Sequence, residues 1–316
     1  MSQYRYRLPQ LRNTLFLTDG GLETTLVFHD RMELPHFAAF DLLRTAAGVE
    51  RLRSYFETYT RIALDHRLGL VLEAPTWRAN ADWGAKLGYD AAALADVNRM
   101  SIGLLLEVRA ALETPATPIV ISGNLGPRGD GYRADARMSV EEAMRYHSAQ
   151  VETFAATDAD MIGAFTMNYV EEAVGIALAA RAHTMPLALS FTVETDGNLP
   201  SGQPLAEAIE RVDAETDEYP VYYMINCAHP SHFEGILDEL GAKVRRVRGL
   251  RANASRRSHA ELDASTDLDA GDPVTLGSEY RALQRKLPAL TVVGGCCGTD
   301  DRHVAAIARA MSHAGV

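Results

Sequence analysis

Cysteine is scarce, with three in 316 residues. An odd count that includes a vicinal pair makes a poor disulfide framework, so a disulfide-stapled domain is excluded and a reducing, cytoplasmic setting is expected. Long apolar runs are missing too. No stretch approaches the roughly 20 apolar residues of a spanning helix, and the opening Met1-Ser2-Gln3-Tyr4-Arg5-Tyr6-Arg7 holds no apolar signal core. Positive charge is in deficit, at 31 Lys+Arg against 42 Asp+Glu for a net charge of -11. Such a surface repels polyanions, so neither nucleic acid nor an anionic membrane is an expected partner. A phosphate-binding glycine fingerprint is also absent. Neither Asp19-Gly20-Gly21-Leu22-Glu23 nor the stretch Gly123 to Gly131 has that spacing, and the second lacks the Lys-Ser/Thr of a P-loop. No linker or low-complexity segment divides the chain, so a single domain over 1–316 is expected.

What the chain does contain is a repeat of short apolar run, loop and amphipathic helix. The runs are Leu15–Thr18, Leu70–Glu73, Ile119–Ser122, Met161–Phe165, Leu187–Phe191, Val221–Ile225, Val247–Leu250 and Leu290–Val293. Helical patterns fill the gaps at 46–66, 91–113, 140–156, 170–182, 203–213, 231–240, 275–286 and 301–313. In the first of these, Val49, Leu52, Phe56, Tyr59, Ile62 and Ala63 share a stripe. Before the third, Ser139 with Glu142 reads as a capping box. Continuous apolar strands alternating with helices imply a parallel sheet with right-handed crossovers. Eight such units in a chain of this length correspond to a (β/α)8 TIM barrel.

The three cysteines fall where two of those strands end. Cys227 closes Val221-Tyr222-Tyr223-Met224-Ile225-Asn226-Cys227, and the pair lies in Thr291-Val292-Val293-Gly294-Gly295-Cys296-Cys297-Gly298-Thr299. Barrel active sites are built at the C-terminal strand ends, so the three can converge. Three thiolates suit Zn2+ with its fourth position open to substrate. Three negative sulfurs on a divalent ion make a poor Lewis acid but a good holder of a fourth thiol as thiolate, which points to attack by a substrate sulfur on an electrophilic carbon. Three other readings stay open: buried cysteines acting as small hydrophobes, a redox-active Cys296–Cys297 pair, and closure of the site by His229 or His303.

The Asn226-Cys227 pair, the Gly294 to Thr299 run and the Asp19-Gly20-Gly21-Leu22-Glu23-Thr24 opening resemble the homocysteine S-methyltransferase family, over essentially the whole chain. The resemblance implies a (β/α)8 barrel holding zinc through Cys227, Cys296 and Cys297. It implies a small-molecule thiol acceptor such as homocysteine, methylated to methionine by a sulfonium or quaternary ammonium donor, and no catalytic group beyond the zinc-activated thiolate. Asp19, Gly20 and Gly21 match the loop beside the acceptor's amino acid moiety. Trp77, after Thr76, falls where an aromatic can face the cationic donor, or can simply cap the barrel mouth. Asn253 matches an asparagine at the end of strand 7, and Glu23, Thr166 and Asn226 complete the expected substrate contacts. A homo-oligomer is compatible with all of this. Nothing resembling a cobalamin- or folate-binding module follows, so the donor is expected to dock directly or to come from a separate protein.

One position departs from the pattern. Where the family carries a glutamate after strand 4 to contact the acceptor's ammonium, this chain has Phe165. Glu73 at the end of strand 2 is a candidate replacement, or else pairs with an arginine such as Arg78. The departure also admits a different thiol acceptor or a demethylase role, and, in another class, a non-catalytic zinc-binding or redox-sensing barrel. Two further stretches stand out: the basic run Lys243 to Arg248 with Arg251, Arg256 and Arg257, read as a solvated helix end and loop or else as a place for an anion or a subunit, and the acidic Glu261 to Asp272, an exposed loop or a lid.

Overall fold

The computed structural model describes residues 2–312. Eight parallel strands close into a barrel: β1 (Phe16–Leu17), β2 (Gly69–Glu73), β3 (Ile119–Leu125), β4 (Met161–Met167), β5 (Leu187–Phe191), β6 (Tyr222–Asn226), β7 (Val247–Ala252) and β8 (Val292–Gly295). Each strand pairs with its sequence neighbours, and β8 returns to β1 through Phe16 opposite Val292. The apolar runs split with period two, as strand geometry requires. Leu70 and Leu72, or Ile119 and Ile121, face the outer helices, while Val71 and Val120 join Phe16, Met161, Ala188, Tyr222, Met224 and Val292 in a separate inner core. Leu8 belongs to that inner core and Tyr4 and Leu11 pack against it, so the N-terminal segment with its 3-10 turn Pro9–Arg12 stoppers the end of the barrel where the strands begin.

The helices are α1 (Leu22–Thr24), α2 (Ala46–His66), α3 (Ala81–Lys86), α4 (Ala91–Leu112), α5 (Val140–Ala155), α6 (Val170–Ala182), α7 (Leu205–Thr216), α8 (Pro230–Phe233), α9 (His259–Asp263), α10 (Pro273–Leu283) and α11 (Asp301–Ser312). The long ones begin at side-chain caps: Thr45 on α2, Asp90 on α4, and Ser139 with Glu142 in the expected box on α5. Several segments differ from the sequence reading. The helix expected at 231–240 is the single turn α8 followed by 3-10 structure over Glu234–Arg246, interrupted at Gly241 with φ 50° and ψ -128°. The short α3 and α9 are not among the expected helices; a turn or two of helix leaves little periodicity to see. Strand 7 runs two residues further than its apolar run, to Ala252, which brings Arg251 into the sheet. Residue 313, the end of the last expected helix, lies outside the described residues. Among the described residues no helix is long and apolar enough to cross a membrane.

Candidate active site

Two non-glycine residues at the C-terminal strand ends have left-handed backbone: Thr166 at φ 63° and Cys227 at φ 55°. For a β-branched residue that is a strained choice, on the order of 1–2 kcal/mol. Asn226 braces Thr166 twice: its Oδ1 accepts from Thr166 N at 2.9 Å, and its Nδ2 donates to Thr166 Oγ1 at 2.9 Å. Ser190 Oγ fixes the same amide at 2.6 Å. The bulge this makes in β4, between Ala164 and Met167, turns Thr166 into the cleft, and the left-handed turn at Cys227 carries its sulfur to the same place.

There the three thiols meet. All are free, and their sulfurs lie within 4.8 Å of one another, with Cys227 Sγ and Cys297 Sγ 3.8 Å apart. Tetrahedral ligation with Zn–S bonds of ~2.3 Å sets sulfurs about 3.8 Å apart, so the donor set fits a zinc ion. Crowding argues the same way. Cys227 is pushed up first by Cys296, and Cys297 first by Cys227; Cys296 is relieved by Cys227 but raised overall by Cys297 and burial. Three such thiols do not ionise together without a cation among them. Neither histidine closes the set. His229 Nδ1 accepts from Ser231 N at 3.1 Å as the α8 cap, and His303 bonds Asp300 and the Ala270 carbonyl. The thiols stand beside a small cleft, partly open to solvent, that is also lined by Asp19, Glu23, Glu73, Trp77, Tyr132, Phe165, Thr166, Asn226 and Arg251.

A family model for homocysteine S-methyltransferase matches residues 16–311. The chain belongs to the homocysteine S-methyltransferase family. Homocysteine S-methyltransferase 4 of Zea mays is 24% identical over 327 residues, covering 94% of this chain and 90% of that protein. Homocysteine S-methyltransferase YbgG of Bacillus subtilis is 22% identical over 196 residues, 60% of each chain. The metallated form of the homocysteine methyltransferase MmuM from Escherichia coli superposes with a TM-score of 0.76 at 20% identity, covering 94% of this chain and 96% of that one. That likeness shows the shared barrel fold.

Within this family member the expected acidic residues are arranged differently from the sequence reading. Glu73 does not stand free, and its partner is not Arg78. It pairs with Arg251, whose guanidinium also meets Asp19 at 2.6 Å and donates to Gly20 O at 3.0 Å and Gly295 O at 2.9 Å. Arg251 is therefore no solvated member of a basic run: it is 8% exposed and lies at the centre of the site. Tyr55 donates to the other Asp19 oxygen at 2.9 Å. Burial raises both carboxyls against the pull of Arg251, and on Glu73 the neighbouring Asp19 adds to the rise. Arg78 instead donates to Gly129 O at 3.0 Å and lies 3.9 Å from the ring centroids of both Trp77 and Trp83. One face of Trp77 is thus already taken by a cation.

Phe165 belongs to the inner core of the barrel, 5% exposed, and forms the floor of the cleft below Arg251, whose guanidinium carbon is 5.4 Å from its ring centroid. Three expected contacts do not line the cleft. Thr76 Oγ1 donates to Asn124 O at 2.8 Å, and the Gly20 carbonyl is spent on Arg251 and Tyr55. Asn253 Nδ2 donates to Cys227 O at 2.9 Å, so it positions the thiol turn. Gly21 lies against Cys296: a Cβ there would sit 2.7 Å from the Cys296 carbonyl oxygen.

Tyr132 escaped the sequence reading. Its hydroxyl donates to Cys227 Sγ at 3.5 Å and lies 3.6 Å from Cys297 Sγ, and its ring packs against His259, tilted by 32° with centroids 4.3 Å apart. His259 is held by Glu194 at 3.0 Å and by the Cys227 carbonyl. The only signal was an aromatic inside a polar loop following a barrel strand. The acidic stretch from 261 is no free lid either: Asp269 accepts from Ser255 at 2.6 Å, and the Ala270 carbonyl accepts from His303 at 2.7 Å.

Proposed function

We propose that this protein is a zinc-dependent S-methyltransferase that moves a methyl group from a sulfonium or quaternary ammonium donor to the thiol of homocysteine, giving methionine. The reading is carried by the triangle of three thiols beside a cleft, with a sulfur–sulfur edge of 3.8 Å. Family membership supports the acceptor, and the chemistry of the donor set supports the metal.

Cys227, Cys296 and Cys297 would hold the ion. Bound there, zinc supplies a site that keeps a fourth thiol as thiolate, and so nucleophilic, at neutral pH. Asn253 and His259 hold the Cys227 carbonyl and so fix the thiol turn. The Tyr132 hydroxyl lies against the Cys227 and Cys297 sulfurs, beside the place an acceptor sulfur would take. Trp77 and Phe165 give the cleft apolar walls in which a methyl carbon can be aligned with the acceptor sulfur. As the new S–C bond forms, the old C–S or C–N bond breaks and its electron pair leaves with the neutral donor.

The test is zinc content together with a thiol-by-donor turnover screen on zinc-loaded protein. We expect one zinc per chain, loss of it in Cys297→Ser, and turnover of homocysteine with S-methylmethionine, S-adenosylmethionine or a betaine. Peroxide is expected to release zinc and abolish turnover in step. Full zinc retention in Cys297→Ser would sink the triad. Cycling of Cys296 and Cys297 with no metal and no turnover would replace this reading with a redox barrel.

A further inference from the structure

With Phe165 on the cleft floor, the family's strand-4 carboxylate is gone from this site, and the bookkeeping of charge shows what stands in. Three carboxylates line the cleft: Asp19, Glu23 and Glu73. Arg251 takes two of them, Asp19 at 2.6 Å and Glu73 in direct contact. Among the described residues Glu23 has no cation in ion-pair contact. Arg251 and Arg78 act on it only at longer range. Burial and the neighbouring Asp19 both work against its charge. A site with one guanidinium, three carboxylates and three metal-binding thiols is short of positive charge, and Glu23 is where the shortage is local.

The placement of Glu23 says which ligand makes up the deficit. It sits in α1, directly after the Gly20-Gly21 turn, and that turn is bolted to the cysteine pair's segment. Thr24 Oγ1 accepts from Gly298 N at 3.0 Å, and Gly21 N donates to Thr299 O at 3.1 Å. Glu23 is thereby held on the thiol side of the cleft and not on the segment that carries Trp77. A ligand whose sulfur sits at the cysteines and whose ammonium lies three carbons further along reaches toward it.

We infer that Glu23 receives the ammonium group of the acceptor thiol and is the residue that makes the site selective for an amino acid thiol. This rests on the methyl-transfer reading above and assigns within it a specificity role that Phe165 no longer plays. Asp19, Arg251 and Glu73 then serve as the fixed wall against which Glu23 and the ammonium pair.

The test measures binding by titration calorimetry on zinc-loaded protein, with homocysteine and with 4-mercaptobutanoate, the same chain without its amine. Wild type should prefer homocysteine at least tenfold. Glu23→Gln should weaken homocysteine about ten- to a hundredfold, the loss expected for one charge-assisted contact, and leave 4-mercaptobutanoate unchanged. The unchanged thiol also certifies that the variant is folded; Glu23→Ala serves if the amide variant is not. Equal binding of both thiols by wild type would overturn the inference while methyl transfer stood. Equal loss of both in Glu23→Gln would make Glu23 structural and overturn it as well. So would an effect confined to the KM of the methyl donor, which would place the donor's cation at Glu23. If wild type bound neither thiol, the methyl-transfer reading would fail and this assignment with it.

Discussion

Two buried arginine–carboxylate clusters sit at opposite ends of the barrel and are built on different arithmetic. At the end where the strands begin, Arg109 donates to Asp160 at 2.6 Å; the same carboxylate oxygen accepts from Ile121 N at 2.9 Å and the other from Tyr4 N at 2.7 Å. One cation meets one anion, both carboxylate oxygens are bonded, and the cluster ties the N-terminal segment across the barrel. At the other end one cation, Arg251, meets two carboxylates, with Glu23 a third close by. Charge-balanced and fully bonded, the first cluster needs nothing more. The second has more carboxyl groups than its one cation can hold ionised, beside a cleft, and that is what distinguishes a site from a brace.

The largest expected effect belongs to the balanced end. Asp160→Asn or Arg109→Met leaves one member of a fully buried pair without its counter-charge, so each should cost about 3–5 kcal/mol of stability by denaturant titration. Turnover per folded molecule should be unchanged. If activity falls before stability does, the division between brace and site is wrong.

Arg251→Met attacks the other cluster. The stability loss should be smaller, about 2 kcal/mol, because Asp19 and Glu73 already sit with raised affinity for protons and can neutralise themselves. The kcat/KM for homocysteine should nevertheless fall by two orders of magnitude or more, as the wall facing the acceptor loses its geometry. A variant as unstable as Asp160→Asn with intact turnover would reverse the comparison.

A pH dependence sharpens it. The Glu73 carboxyl lies above its ordinary 4.5, raised by burial to about 8. The native state then keeps a proton that the unfolded chain releases, so this contribution is complete below pH 4.5 and drains away as pH rises toward 8. Melting temperature should therefore decline across that window, and Glu73→Gln, which keeps the group neutral, should flatten the decline by a few degrees, on the order of 2–4 °C. An identical slope in the variant would mean that Arg251 holds Glu73 ionised throughout.

Tyr55→Phe should give the smallest change. It removes the hydroxyl that donates to Asp19 at 2.9 Å and to Gly20 O at 3.1 Å. A loss of about 1.5 kcal/mol in stability and a severalfold rise in the KM for homocysteine are expected. A change in stability alone would show that Asp19 is anchored by Arg251 without help.

Much of this was legible beforehand. Strands buried on both faces read as near-continuous apolar runs, and all eight were found because parallel barrels leave no solvated face to dilute the pattern. The capping box at Ser139 and the convergence of Cys227 with Cys296 and Cys297 were equally plain. Arg251 was not, because the apolar run of strand 7 stops at Leu250 and the next residues look like the tail of a basic stretch. Strand parity was the usable signal: Arg251 lies two residues after Gly249 and so on the same face, pointing to where β1 and β2 end in Asp19 and Glu73. Tyr132 and the 3-10 segment after Phe233 left no such trace.

By itself, then, the sequence determined the barrel, its closure and the meeting of three thiols, since these follow from local periodicity and from strand order around a ring. Only the tertiary structure decided how the charges pair across that ring. Asp19, Glu23, Glu73 and Arg251 come from three different strand ends and their loops. Which carboxylate keeps the arginine, and which is left for a ligand, depends on distances of a few ångströms between elements far apart in the chain. Coulomb energies in a buried site change steeply over such distances, and no one-dimensional pattern records them.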